Sequence, residues 1–162
     1  MSRSFPLLNI RIIAIGKDKN EWLVGGCAHY EKLLTRWCRL SWKILASPKK
    51  AASLSPLEIR RLEARLIEKE LERGTVIALV DTGDKLDSIA FAQWLEKLPA
   101  TSPGPMTFVI GGPYGLDEAI LKRADRCLSL SPLTFSHQLV RLVLLEQLYR
   151  GLSILHGTDY HK

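Results

Sequence analysis

The stretch TFVIGGPYGLDEAI, residues 107–120, carries the residue types most suggestive of a ligand. An apolar run opens onto Gly111 and Gly112, Pro113 and Tyr114 follow, and Gly115 leads into a helix-like segment. Glycine has no Cβ, so a backbone built from it can come close to another group. Two phosphate-binding patterns can be tested against it. A P-loop needs G-x-x-x-x-G-K-[ST], and the lysine is missing. A dinucleotide fingerprint needs G-x-G-x-x-G with an acidic residue about twenty positions on. GGPYGL does not match it and falls late in the chain. A nucleotide-like ligand and a purely structural glycine turn both stay open.

Other candidate chemistry is sparse. His137 opens the segment SHQLVRLVLLEQLYRGLSIL, with Arg141 one turn later on the same face. A lone histidine in such a place is as readily structural as functional. Cys27, Cys38 and Cys127 form no C-x-x-C pair, so neither a zinc site nor a disulfide framework is expected, and no metal ligands are assigned. The net charge of +6 favours a polyanionic partner such as nucleic acid. No apolar stretch approaches a membrane span, and the start MSRSFPLLNIRIIAIG, broken by Asn9 and Arg11, does not read as a signal peptide. A cytoplasmic protein without a membrane partner is expected, its thiols kept reduced.

The elements that must position these residues alternate along the chain. LLNIRIIAIG, LSWKILA, TVIALVD, MTFVI and CLSLS read as strands. EWLVGGCAHYEKLLTRW reads as a helix weakened by Gly25 and Gly26. SPLEIRRLEARLIEKELERG is the clearest helix. Ser55 is its N-cap, Pro56 its first residue, Glu58 completes a capping box, and Ile59, Leu62, Leu66 and Leu71 form its apolar stripe up to Gly74. DSIAFAQWLEKL, LDEAILKRA and the last segment follow as helices. Alternation of this kind predicts an α/β domain with a mostly parallel sheet flanked by helices. Ligands of such sheets bind at the carboxyl ends of the strands. The segments VDTGDK, GGPYG and SPLTFSH should therefore lie together. The last helix is apolar nearly all round, which fits either a subunit interface or a helix sandwiched within one chain.

Three motifs in order, FVIGGPYGL, LSLSPLTFSHQLVRLVLLEQLYRGLSI and a terminal YHK, resemble the RlmH family of SPOUT methyltransferases. That family's pattern is an IGGxxG loop, then S-L-S-x-L-T-x-x-H-x-L-x-R, then E-Q-L-Y-R-A and a C-terminal Y-H. The resemblance extends to chain length and to LVDTGDKLDSIAFAQWL, so it covers essentially all of residues 1–162 as a single SPOUT methyltransferase domain. It implies a trefoil knot in the C-terminal half, S-adenosyl-L-methionine as cofactor, and a homodimer with the cofactor site near the subunit interface. It also implies methylation of N3 of a pseudouridine in 23S ribosomal RNA, within the assembled ribosome.

Carried over by position, Leu79, Gly111, Gly112, Leu130, Ser131, Pro132, Leu133, Thr134 and Phe135 would surround the cofactor. Thin, leucine-lined loops suit an adenine held by main-chain groups, although Leu79 and Leu133 could equally be plain core. The same resemblance makes His137, Tyr160 and His161 candidates to take or relay the N3 proton. Arg150 would contact RNA phosphate or base, or simply pair with Glu146 at i,i+4. The chain departs from the family at Ser136 and Gln138, which replace two prolines, at Tyr114, which replaces an acidic residue, and in the tail GTDYH. A non-catalytic RNA- or nucleotide-binding α/β module is the alternative.

Overall fold

Strands buried on both faces send successive side chains to opposite sides, and this chain has apolar residues to fill both. The structure, a computed structural model, describes residues 6–49, 51–98 and 103–162. The start of the chain and part of the expected TSPGP loop lie outside the described residues. The elements are β1 (Leu8–Ile15), α1 (Glu21–Leu34), β2 (Cys38–Leu45), α2 (Pro56–Glu68), β3 (Thr75–Lys85), α3 (Ser88–Lys97), β4 (Met106–Ile110), α4 (Glu118–Arg123), β5 (Arg126–Ser129) and α5 (Leu139–Leu155).

The strands form one sheet in the order β2-β1-β4-β3-β5, with every neighbouring pair parallel. This is the helix-flanked parallel sheet expected. Ile10 and Ile12 of β1, Ile77 and Leu79 of β3, and Phe108 and Ile110 of β4 pack with α1, α3 and α5. Ile13 and Ile15, Val76 and Ala78, and Val109, the alternate residues of the same strands, pack with α2 and α4.

α5 runs against both α1 and α3. A Cβ on Gly26 of α1 would sit 3.1 Å from Leu142, and one on Gly151 would sit 3.0 Å from Leu95. The glycine that weakens α1 by propensity therefore lets α5 come close. Leu144, Leu145, Leu148 and Leu152 are buried by this packing, so much of the all-round apolar character of α5 is used inside one chain.

Two elements differ from the sequence pattern. α2 keeps its capping box, with the Ser55 N–H donating to Glu58 Oε2 at 2.8 Å, but ends at Glu68 rather than Gly74. The following residues are drawn onto the sheet by Arg11 of β1. Its guanidinium donates to the Glu70 carbonyl at 2.7 Å and pairs with Glu70 at 3.2 Å and Glu72 at 2.7 Å. Lys43 of β2 also pairs with Glu70, at 3.1 Å. These tertiary ion pairs override good local helix formers. β3 continues past TVIALVD to Lys85 through a register shift: Leu79 and Asp84 both oppose Leu128 of β5. The residues between them bulge out of the ladder. Gly83 lets the returning strand press on β5, since a Cβ there would lie 2.7 Å from the main chain of Cys127 and Leu128.

Candidate functional site

The carboxyl ends of β3, β4 and β5 enclose a cavity of about 740 Å³. Its walls come from the three segments expected to meet: the β3 bulge through Val80, Asp81 and Thr82, the glycine loop 111–116, and the loop after β5. Leu79, Gly111, Gly112, Leu130, Ser131, Leu133, Thr134, Phe135 and His137 all line it. Pro132 is not among the lining residues.

The glycine loop is a turn from Gly112 to Gly115, closed by the Gly115 N–H donating to the Gly112 carbonyl at 3.0 Å. Pro113 stands at its second position and Gly115 at its fourth, as a type I turn prefers. Gly111 and Gly112 each answer to a neighbour within the chain, and Gly115 to its backbone conformation. A Cβ on Gly111 would meet the main chain of Gly115 at 2.8 Å and of Leu116 at 3.0 Å. One on Gly112 would lie 2.6 Å from Glu63 Oε1. Gly115 has φ +80°. The glycines shape the turn, and the turn lines the cavity.

The loop after β5 is braced by serines. Ser129 Oγ donates to the Ser131 carbonyl at 2.9 Å, and Ser131 Oγ accepts the Leu133 N–H at 3.0 Å. Both leucines line the cavity, but Leu79 is 9% exposed and part of the core as well, whereas Leu133 is 73% exposed. His137 lies in the turn before α5, not on the helix, which starts at Leu139. Burial holds its imidazole below the usual range; Arg141 adds to this, and Asp18 acts in the opposite sense. Arg141 is 1% exposed and is not among the cavity-lining residues. It donates to the Ile15 and Gly16 carbonyls at 2.7 Å each and pairs with Asp18 at 3.0 Å, gripping the end of β1.

Arg150, Tyr160 and His161 are brought together, but away from the cavity. Val140, on the cavity wall, and Arg150 are separated by roughly 15 Å along α5 at about 1.5 Å per residue. Arg150 pairs with Glu146 at 2.6 Å, and its guanidinium stands 4.8 Å over the Tyr160 ring. Its Nη1 lies 3.4 Å from His161 Nδ1. The Tyr160 hydroxyl donates to Glu146 at 3.2 Å and meets the Tyr30 hydroxyl at 3.2 Å, and its ring packs edge-on to Tyr149. Burial, the Tyr30 hydrogen bond and Glu146 push its phenol above the usual range. The chain reaches this position through Gly157, at φ +65°, and a bond from the Thr158 N–H to the Ser153 carbonyl at 3.0 Å. This is the glycine-closed end common to helices.

Sequence reasoning missed the contribution of α2. Arg60 lines the cavity, and Glu63 lies buried beneath Gly112. The signal was present: Glu63 falls between Ile59 and Ile67 at i,i+4 spacing, an acid on the apolar face of a helix.

Among known proteins, the family model described as "Predicted SPOUT methyltransferase" matches residues 8–161. The chain is 40% identical over 159 residues to a protein of Acetivibrio thermocellus named Ribosomal RNA large subunit methyltransferase H, covering 96% of this chain and 100% of the relative. Proteins of the same name from Alkaliphilus oremlandii (42% over 159 residues; 96% and 100%) and Parabacteroides distasonis (37% over 155 residues; 95% and 99%) are similar over the same extent.

Proposed function

The chain belongs to the SPOUT methyltransferase family, and from that premise we propose that it methylates N3 of a pseudouridine in 23S ribosomal RNA within the assembled ribosome. S-adenosyl-L-methionine would be its methyl donor. The observation that carries the reading is the cavity at the strand ends. Its volume of about 740 Å³ falls within the range of roughly 300–1,000 Å³ usual for small-molecule sites. Its walls join apolar side chains, Leu79, Leu130, Leu133 and Phe135, to the main chain of the glycine turn. That combination fits an adenosine held by main-chain groups between apolar walls. When bound, S-adenosyl-L-methionine supplies an electrophilic methyl group on sulfur.

The protein's task is then positioning and removal of the N3 proton. His137 borders the cavity, and its lowered affinity for protons keeps it neutral and able to accept one. Tyr160 is held as a protonated phenol with its O–H on Glu146, so it is not the group that takes the proton of the base. Arg150 offers a cation for RNA phosphate beside it. Because this cluster sits well down α5 from its own cavity, we assign it to the cavity of a partner subunit in a homodimer. The net charge of +6 per chain suits an RNA partner.

Membership of the family implies a trefoil knot in the C-terminal half. The segment 130–138 leaves the β5 edge, passes the ends of β3 and β4, and delivers Arg141 to the end of β1. One sheet serving one cavity supports a single domain over residues 1–162. No helix among the described residues is long and apolar enough to cross a membrane, and the reading puts the protein with ribosomes in the cytoplasm. Calorimetric titration with S-adenosyl-L-methionine tests the cofactor, since the alternative, a non-catalytic RNA- or nucleotide-binding α/β module, has no need of that ligand. Mass spectrometry of ribosomal RNA from cells lacking the protein tests the substrate: loss of one methylated pseudouridine is expected, and an unchanged pattern rejects the assignment.

A further inference from the structure

A carboxylate is almost never fully buried without a partner. Glu63, in the middle of the inner face of α2, is 2% exposed. Its surroundings on α2 are Ile59, Ala64 and Ile67, all buried. The group that meets it comes from the cavity wall. Both carboxylate oxygens crowd Gly112, at 2.6 and 2.9 Å from where a Cβ would stand, and the Gly112 N–H donates to the carboxylate. Oε2 has no hydrogen-bond partner among the described residues. Desolvation raises the affinity of this group for protons, and the Gly112 bond only partly opposes that. A buried acid so poorly compensated is a poor way to hold a helix on a sheet; an apolar side chain of similar size would serve that purpose better.

We propose that Glu63 is a positioning residue for the glycine loop. Its buried carboxyl group accepts the Gly112 N–H and leaves no room for a side chain at 112, which fixes the main chain of 111–115 in the shape that lines the cavity. The effect on ligand rests on the cofactor reading above; the hold on the loop does not. Glu63 itself does not line the cavity, so it acts through Gly112. Besides Glu63, the loop is held by its own turn bond from Gly115 to Gly112 and by Leu116 in the core, while a Cβ on Gly115 would meet open space.

The test compares wild type, Glu63→Gln and Glu63→Leu by amide hydrogen exchange over 107–121 without cofactor, calorimetric titration with S-adenosyl-L-methionine, and thermal unfolding. Glu63→Leu should exchange at 112–115 at least about tenfold faster and bind the cofactor at least about tenfold more weakly. Its unfolding midpoint should equal or exceed that of wild type, because a buried acid has become apolar. Glu63→Gln keeps an acceptor and should return both readouts to near wild type. Unchanged exchange in Glu63→Leu overturns the proposal, as does destabilisation of the whole molecule by both variants alike. Wild type that fails to bind the cofactor while Glu63→Leu still loosens the loop would defeat the cofactor reading and leave the positioning role standing. Should Glu63→Leu not fold, Gly112→Ala makes the same test from the other side. Its loss of affinity should be partly relieved by Glu63→Ala in the double variant, and strictly additive effects would overturn the coupling.

Discussion

A Cβ at Gly111 would lie 2.8 Å from the carbonyl carbon of Gly115 and 3.0 Å from the Leu116 nitrogen, and main chain cannot swing aside as a side-chain end can. At Gly115 nothing stands within 4 Å, and only the positive φ resists a side chain. The two substitutions should therefore separate. Gly115→Ala should cost about 1–2 kcal/mol of stability, the penalty of the left-handed region, with cofactor affinity changed only a few-fold. Gly111→Val should force the turn open and weaken S-adenosyl-L-methionine at least about tenfold, or 1.4 kcal/mol. Denaturant unfolding and calorimetry measure both; a folded Gly111→Val with wild-type affinity would contradict the reading. The sequence pointed to these glycines without the cause, because the neighbour of Gly112 is Glu63, 49 positions away and visible only after folding. His137 gives a second residue-scale outcome. Its imidazole is held below the ordinary value near 6.5. Neutral His137 is the competent form, so the acid limb of single-turnover methyl transfer should be centred below about 6.5. Replacing His137 with Gln should lower the plateau and abolish the decline. An acid limb centred above 6.5 that persists in the variant would assign the proton to another group.

At the scale of elements, the strand and helix order was legible because the strands are short apolar runs and three of the helices, α2, α3 and α4, carry their own start signal at Ser55, Asp87 and Asp117. What local pattern could not supply were the ends fixed by distant partners. α2 stops early because Arg11 and Lys43 hold Glu70, and β3 runs long because Gly83 lets it rejoin β5 beyond the bulge. The tail belongs to the same class. GTDYHK has the composition of a frayed end, yet Tyr160 is gathered by Tyr30, Tyr149, Arg150 and Glu146 of α1 and α5. None of these groups lines the cavity. Deletion of 158–162 should leave S-adenosyl-L-methionine affinity nearly unchanged and cut methyl transfer on ribosomes by about a hundredfold or more, the scale of a lost positioned acid or base. Full turnover would make the tail a frayed end after all, and loss of cofactor binding would put it in the cavity.

Across the whole molecule, one chain holds two sets of groups that the proposed chemistry needs at one place. The cavity with His137 lies at the strand ends, and the Arg150–Tyr160–His161 cluster lies roughly 15 Å further along α5 by helical rise. A two-fold dimer resolves this separation, because an isologous interface can set the tail of each subunit against the cavity of the other. Leu142 and Val143 of α5 are only half-buried within one chain, so apolar surface on this helix would be available to such an interface. If the site is shared in this way, two defects on different chains can complement. Chains lacking 158–162 keep a working cavity, and Gly111→Val chains keep a working tail. At a cofactor concentration well below what the Gly111→Val cavity needs, each should be nearly inactive alone. Mixed in equal amounts and allowed to exchange subunits, half of the dimers are hybrids, and each hybrid pairs one intact cavity with one intact tail. Activity on ribosomes should recover to about one quarter of the wild-type level per chain. A site built wholly within one chain predicts no recovery at all, since neither variant then carries a complete one. Recovery that fails although subunit exchange is demonstrated would return the tail to its own chain.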